Sequence, residues 1–456
     1  MNVKYAKVRQ PDADCTLSPV LLSDQTMAER QQKVLQKMKE NEIDSLVIYA
    51  DLEHGSNFEY LTGFLPRFEE ALLILHQNGD AYMIMGNENL NKVPHARIKA
   101  TAIHCPHFSL PNQPMDTNFT FLDILKQSKL THGETLGVVG WKLFTSHFED
   151  NQTLFDLPNY IIVALRAIVG ERIVNATSLF IGENGVRCIN NVNEIEHYEF
   201  GASLASDCIL KAMNAVKEGI SEMELGGMLN AYGQKNSVIT IAASGPRFIK
   251  ANLYPTDHRV QIGDTISLTV GYKGGLSSRT AYAVENATQL PADAKDYINV
   301  VVKPYYHAIV TWLTNIHCGM KGKELYAQIE EALPKQQYHW TLCPGHLCAD
   351  EEWLSSCIYE TSEEKLQSGM ILQTDIIPSV PGYAGSNVES TVLLADAKLR
   401  HAIKEQAPAL WDRMQKRRNY LIHELHIPLS EDVLPMCSTL AYLRPFLMNK
   451  EMAMCL

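Results

Sequence analysis

Two apolar runs, Ala71–Leu75 and Ala81–Met85, joined through a turn at Gln77-Asn78-Gly79-Asp80, constrain this chain more than any other feature. Asn-Gly between such runs predicts a β-hairpin, because both residues tolerate the backbone conformations of a tight turn. Ahead of the hairpin, residues 25–41 read as a charged amphipathic helix with Met27, Val34, Leu35 and Met38 on one face. A short apolar strand follows at Ser45–Ala50. A strand at Leu136–Val139 and helices near 119–127 and 159–168 complete an α/β N-terminal domain.

A different pattern begins near residue 190. Asn193 reads as a helix cap with Glu196 three residues on. Ile195, Tyr198, Ala202, Ala205, Ile209, Met213 and Val216 form a stripe of helical period that Gly219 closes. Further helices are predicted at 294–316 and 322–333, and strands at 265–270, 370–377 and 388–394. Helices mixed irregularly with strands point to an α+β domain. A chain of 456 residues exceeds one ordinary core, so two domains are expected, 1–190 and 191–456.

Composition narrows the function classes. A formal charge of −12 without a Lys/Arg tract argues against a nucleic-acid partner. Ten cysteines are scattered without a C-x-x-C pair, far below the density of a disulfide scaffold. The start, Met1-Asn2-Val3-Lys4-Tyr5, has no apolar core of a signal peptide, and no later run approaches a membrane span. The expectation is a cytoplasmic protein with reduced thiols and no membrane partner.

Several motifs then appear in a fixed order. They are Tyr60-Leu61-Thr62-Gly63-Phe64, Ile262–Gly271 with Arg279-Thr280, Pro344-Gly345-His346, Gly369–Pro378, and Asn387-Val388-Glu389-Ser390-Thr391. Each alone is weak, but the ordered set, across roughly residues 25–420, resembles the creatinase/aminopeptidase P (M24, pita-bread) family. The resemblance implies a creatinase-like N-terminal domain, a pita-bread C-terminal domain and a homodimer. It also implies two divalent metals held by two Asp, one His and two Glu.

That ligand set is broken here. The first Asp position falls on Thr269. The segment from Gly271 to Arg279 is short, so the second falls near Leu276 or Ser277. His346, Asp375 and Glu389 take the remaining three places. Two dications a few Å apart repel by on the order of 20 kcal/mol at an effective dielectric of roughly 20, and bridging carboxylates must offset this. One imidazole and two carboxylates are too few, which leaves room for no cofactor beyond a single weakly held divalent metal. The His that many members carry before a Tyr-x-Pro-like phrase is replaced by Asn252, which can hydrogen-bond but cannot exchange a proton near neutral pH.

The candidate catalytic residues are therefore Asp375, Glu389 and His346. Two acids facing one cavity would push one pKa up and supply an acid and a base. The ordinary alternatives are a structural ion pair of Asp375 with Arg279 and a satisfied core histidine at 346. Asp350-Glu351-Glu352-Trp353 reads as a solvated acidic loop. In the alternative, an acid beside Trp353, with Glu351 binding substrate, captures a cationic group. By the resemblance, Arg67 would reach a partner subunit's cleft and clamp a substrate carboxylate, with pairing to Glu69 or Glu70 as the ordinary alternative. Arg279 would brace the site. The expected function is hydrolysis of a C–N bond in a small molecule or short peptide without a metal pair. Its alternatives are a catalytically inactive binding protein and a metal-dependent Xaa-Pro aminopeptidase-like peptidase.

Overall fold

The computed structural model describes residues 2–115, 117–245 and 254–456. The chain forms two compact units, one of residues 22–188 and one of residues 1–21 with 189–456. The first strand, Lys4–Lys7, pairs antiparallel with the last, Met452–Cys455, in the register Lys4↔Cys455. The opening 21 residues thus belong with the C-terminal unit, whereas the division at 190 counted them with the first domain. Pairing across the whole length of a chain leaves no local signal.

The N-terminal unit holds a six-stranded mixed sheet in the order Thr101–His104, Ala81–Met85, Ala71–His76, Ser45–Ala50, Leu136–Val139, Ile173–Asn175. The expected hairpin is present, with Leu75 opposite Ala81. Its central strands are buried at nearly every residue, which explains continuous apolar runs instead of alternation. Val47, Leu72, Ile84 and Val138 of the sheet meet Ile161 and Leu165 of the Asn159–Val169 helix in one core.

The C-terminal unit opens with the long helix Val192–Ala215. Its cap is Asn191, not Asn193. The Asn191 side chain accepts from the Glu194 N–H at 2.9 Å, and the Glu194 carboxylate accepts from the Asn191 N–H at 2.8 Å. Asn191-x-x-Glu194 and Asn193-x-x-Glu196 are overlapping capping boxes, and the earlier one sets the start. The helix stops at Ala215, ahead of Gly219, which turns the chain beyond it at a φ of 79°.

This helix lies against the hairpin Thr265–Tyr272/Gly275–Tyr282, which turns through only Lys273 and Gly274. A Cβ at Gly201 would stand 1.8 Å from the Lys273 carbonyl oxygen, so only glycine allows that approach. The hairpin continues into a three-stranded antiparallel sheet through Ile241–Ser244. A second antiparallel sheet runs His346–Leu347, Ile371–Gln373, Thr391–Leu394, Val433–Pro435. The strands predicted at 370–377 and 388–394 are shorter than expected, and Asp375 and Glu389 lie just outside them. A bridge at Thr280↔Asn387 and a hydrogen bond from the Ser278 N–H to the Glu389 carbonyl at 3.3 Å join the two sheets. Among the described residues no helix is long and apolar enough to cross a membrane.

Candidate active site

Register places the acids. Gln373 stands opposite Thr391, and the Thr374 N–H donates to the Ser390 carbonyl at 3.0 Å, so the next residues outward, Asp375 and Glu389, oppose each other. His346 is paired with Gln373, and Asp375 follows two residues beyond Gln373, just past the end of that strand. Alternate residues of a strand share a face. Accordingly the His346 Nε2 lies 3.9 Å from an Asp375 oxygen and 4.0 Å from a Glu389 oxygen. All three residues are buried.

A fourth group joins them that the sequence reading had passed over. After His346–Leu347 the chain folds straight back, with the Leu347 N–H donating to Ser355 O and the Leu354 N–H donating to Leu347 O. That return brings Glu352 within 3.0 Å of the His346 Nε2 and stacks the Trp353 ring on the imidazole, with centroids 4.1 Å apart and planes at 21°. The loop is not the solvated acidic segment expected. The Asp350 carboxylate takes the Tyr198 hydroxyl at 3.1 Å and pairs with Lys273 at 3.6 Å. The Gly274 N–H donates to the Ala349 carbonyl, so the tight hairpin and this loop fix each other. Glu351, the residue selected from the sequence, is half-buried, and the described carboxylates facing the His346 Nε2 are Glu352, Asp375 and Glu389 instead.

Three carboxyls around one imidazole perturb one another. Burial raises the Asp375 carboxyl and Glu352 adds to it, against the pull of His346, so that it is pushed up to about 6. Burial, Asp375 and Glu352 hold Glu389 well above the usual carboxylate range. Burial alone would lower His346, yet Glu352 and Asp375 outweigh it and the imidazole is raised. Below about pH 6 the Asp375 carboxyl therefore holds a proton that an isolated carboxyl would already have lost.

Arg279 is buried behind this face. Its guanidinium donates to the carbonyls of Ser278 at 2.7 Å, Glu389 at 2.9 Å and Thr439 at 2.7 Å. It holds the backbone that carries Glu389, and no ion pair with Asp375 is found among the described residues. Arg444, in a tail motif without an evident chemical role, donates to Asn214 and to the carbonyl of Met213 at the end of the long helix. Arg67 lies in the N-terminal unit, exposed, with its guanidinium 4.5 Å above the Phe68 ring. Glu69, one of its expected partners, is buried and accepts from Asn89 and from the Glu88 N–H. Asn252 lies outside the described residues.

On the neighbouring hairpin, none of the described residues at the two Asp places is an acid. Thr269 faces Ser278 across the hairpin, and their hydroxyls hydrogen-bond at 2.7 Å. Leu276 and Ser277 are both buried. Asn387 donates to the Ser278 hydroxyl at 3.4 Å and accepts from the Glu389 N–H at 2.6 Å, linking this wall to the acids.

Comparison with known proteins agrees with this architecture. The family model for metallopeptidase family M24 matches residues 196–396, and that for the creatinase/prolidase N-terminal domain matches residues 30–138. A Pyrococcus furiosus Xaa-Pro dipeptidase is 22% identical over 84% of this chain and 100% of its own length. The Bacillus subtilis uncharacterized peptidase YqhT is 24% identical over 48% of this chain, which spans 64% of that protein. Among solved structures, a Thermococcus sibiricus prolidase superposes with a TM-score of 0.63 at 18% identity, covering 81% of this chain and 95% of that one. A Bacillus anthracis Xaa-Pro dipeptidase gives 0.61 at 16%, covering 82% and 96%.

The metal pair that this resemblance implies does not fit the residues present. The two Asp places hold a neutral hydroxyl, Thr269, and either the apolar Leu276 or Ser277, all buried. Even with Glu352 counted, three carboxylates face four positive charges, and they stand on one wall only. The two matched family models and their order make the chain a member of the creatinase/aminopeptidase P (M24) family, and the superpositions show its fold, a creatinase-like N-terminal domain followed by a pita-bread domain.

Proposed function

We propose that this chain is a hydrolase of the C–N bond in a short peptide or similar small amide, working without a metal pair. The observation that carries the reading is the buried convergence of Asp375, Glu389 and Glu352 on the His346 Nε2. Acids in such a place are costly to fold around and serve chemistry better than stability.

Each group has a role its environment suits. Asp375, poised at about 6, can take a proton from an attacking water and return it to the leaving nitrogen. Glu389, held above its usual range, and Glu352 flank the imidazole and orient the water and the substrate's polar atoms. Trp353, 39% exposed, covers one face of the imidazole at the edge of the site. Arg279 positions the Glu389 backbone without touching the reacting atoms. The named relatives that act on Xaa-Pro dipeptides make that class the first to try.

The test is a panel of proline dipeptides, guanidino acids and betaine-like acids incubated with the purified chain. Amine release from at least one of them supports the reading. A second reading, a pita-bread protein that binds without turnover, draws on the loss of both acids, at Thr269 and at Leu276 or Ser277. It predicts a ligand recovered intact after long incubation.

A further inference from the structure

We infer that Asp350 is a positioning residue of the acid cluster: held by Tyr198 and Lys273, it sets Glu352 and Trp353 against His346. Its effect on rate rests on the proposed hydrolase reading, whereas the geometry it controls does not.

Glu352 and Trp353 reach the imidazole from a loop whose regular pairing ends early. Leu347 is bridged to Ser355, and the Leu354 N–H donates to the Leu347 carbonyl at 2.8 Å. Residues 350–353, at the tip, form neither helix nor strand. Such a tip samples many conformations unless groups outside the loop fix it. Yet Glu352 stands 3.0 Å from the His346 Nε2 and Trp353 lies against the face of the same ring, and the two contacts together demand one conformation.

The fixing points are two consecutive residues. The Ala349 carbonyl accepts from the Gly274 N–H at 2.6 Å. The Asp350 carboxylate, 7% exposed, accepts from the Tyr198 hydroxyl at 3.1 Å and has the Lys273 ammonium at 3.6 Å. The hydroxyl is the stronger hold, because the Lys273 side chain is 32% exposed and solvent screens its charge. Lys273 has a second use: an acid two residues from Glu352 adds repulsion to the cluster unless a cation meets it. Both partners are firmly seated. Tyr198 is buried in the long helix, and a Cβ at Gly274 would stand 2.1 Å from the Tyr198 carbonyl oxygen, so the turn presses directly on that helix. The short Gly271–Arg279 segment, which removes an acid place from the site, thus also carries the turn that anchors Glu352.

The test combines kinetics with nuclear magnetic resonance on the full-length chain. Asp350→Ala should lower kcat/KM on a cleaved Xaa-Pro dipeptide at least tenfold. Asp350→Asn, which still accepts the Tyr198 hydroxyl, should recover most of that loss. Because the anchor acts through Glu352, adding Asp350→Ala to Glu352→Gln should slow the enzyme no further. Losses that multiply in the double variant would overturn the inference. Labelling with ¹³C-histidine reads the stack without turnover: the ring resonance that responds to Trp353→Leu should shift in the same direction in Asp350→Ala. A resonance that stays at its wild-type position would overturn the inference too. If Asp350→Ala does not fold, Tyr198→Phe, which removes the hydroxyl alone, decides by the same two readouts. A wild type that cleaves no dipeptide, in a chain whose resonance shifts as expected, would reject the hydrolase and leave the anchor standing.

Discussion

The acid cluster and the hairpin joined to it teach opposite lessons. On one side the buried His346, Asp375 and Glu389 and the half-buried Glu352 crowd titratable groups into a small space. On the other, Thr269 and Ser278 satisfy each other with a neutral hydrogen bond. Antiparallel pairing puts Thr269 opposite Ser278 inside the hairpin, and Asp375 opposite Glu389 just past the last paired residues of their strands, Gln373 and Thr391. The contrast lies in side-chain chemistry. The hydroxyl wall has settled into ordinary packing, and the acid wall retains the electrostatic tension from which chemistry is made.

The comparison can be broken most forcefully at Asp375. Asp375→Asn should lower kcat by about a hundredfold or more with little change in KM, as expected for loss of a general acid–base. Steady-state kinetics on a cleaved dipeptide measures this, and an equal change in KM alone would assign Asp375 to binding.

Next in size is the brace. Arg279→Ala removes the charged donor to the Ser278, Glu389 and Thr439 carbonyls, of which Glu389 keeps the Ser278 N–H and Thr439 the Tyr442 N–H, and each buried hydrogen bond to a charged group is worth about 1.5–3 kcal/mol. Thermal denaturation should show a drop of many degrees, and a loss of activity without one would mean that Arg279 touches substrate.

A smaller effect sharpens the charge argument. Asp375 is raised from 3.8 to about 6 in the folded protein, so the fold holds that proton more tightly than the unfolded chain does. The resulting stability is complete below 3.8 and is lost as pH rises through about 6. In the presence of chelator, the wild-type melting temperature should fall relative to that of Asp375→Asn between pH 5 and pH 7.5. Parallel curves would mean that Asp375 is not strained. Smallest of all, Thr269→Val removes one hydroxyl pair, for about 0.5–1.5 kcal/mol, and should leave turnover unchanged. A change in turnover would put the hydroxyl wall back into the chemistry.

Legibility followed the same divide. The hairpin at Ala71–His76 and Ala81–Met85 could be read because a strand buried on both faces must be apolar throughout. Ser45–Ala50 and Leu136–Val139 were legible for the same reason. Asp375, Glu389 and His346 could be singled out because the ordered motifs carried them. Glu352 could not. Choosing between two adjacent glutamates requires knowing that Leu347 pairs with Ser355 and that Gly274 pins Ala349, and both are contacts between loops. The near-palindromic spacing of Asn191, Asn193, Glu194 and Glu196 likewise allowed two helix starts, and the structure uses the earlier one. Extended strands at 370–377 and 388–394 followed from apolar runs, but the chain leaves regular pairing where it must present Asp375 and Glu389.

The central claim is that the acid wall breaks C–N bonds, and amine release from Xaa-Pro dipeptides by the wild type and Asp375→Asn side by side tests it most directly. The account predicts turnover in the first and at least a hundredfold less in the second, with both chains folded. Equal rates in the two chains, or dipeptides recovered whole from the wild type, would contradict it.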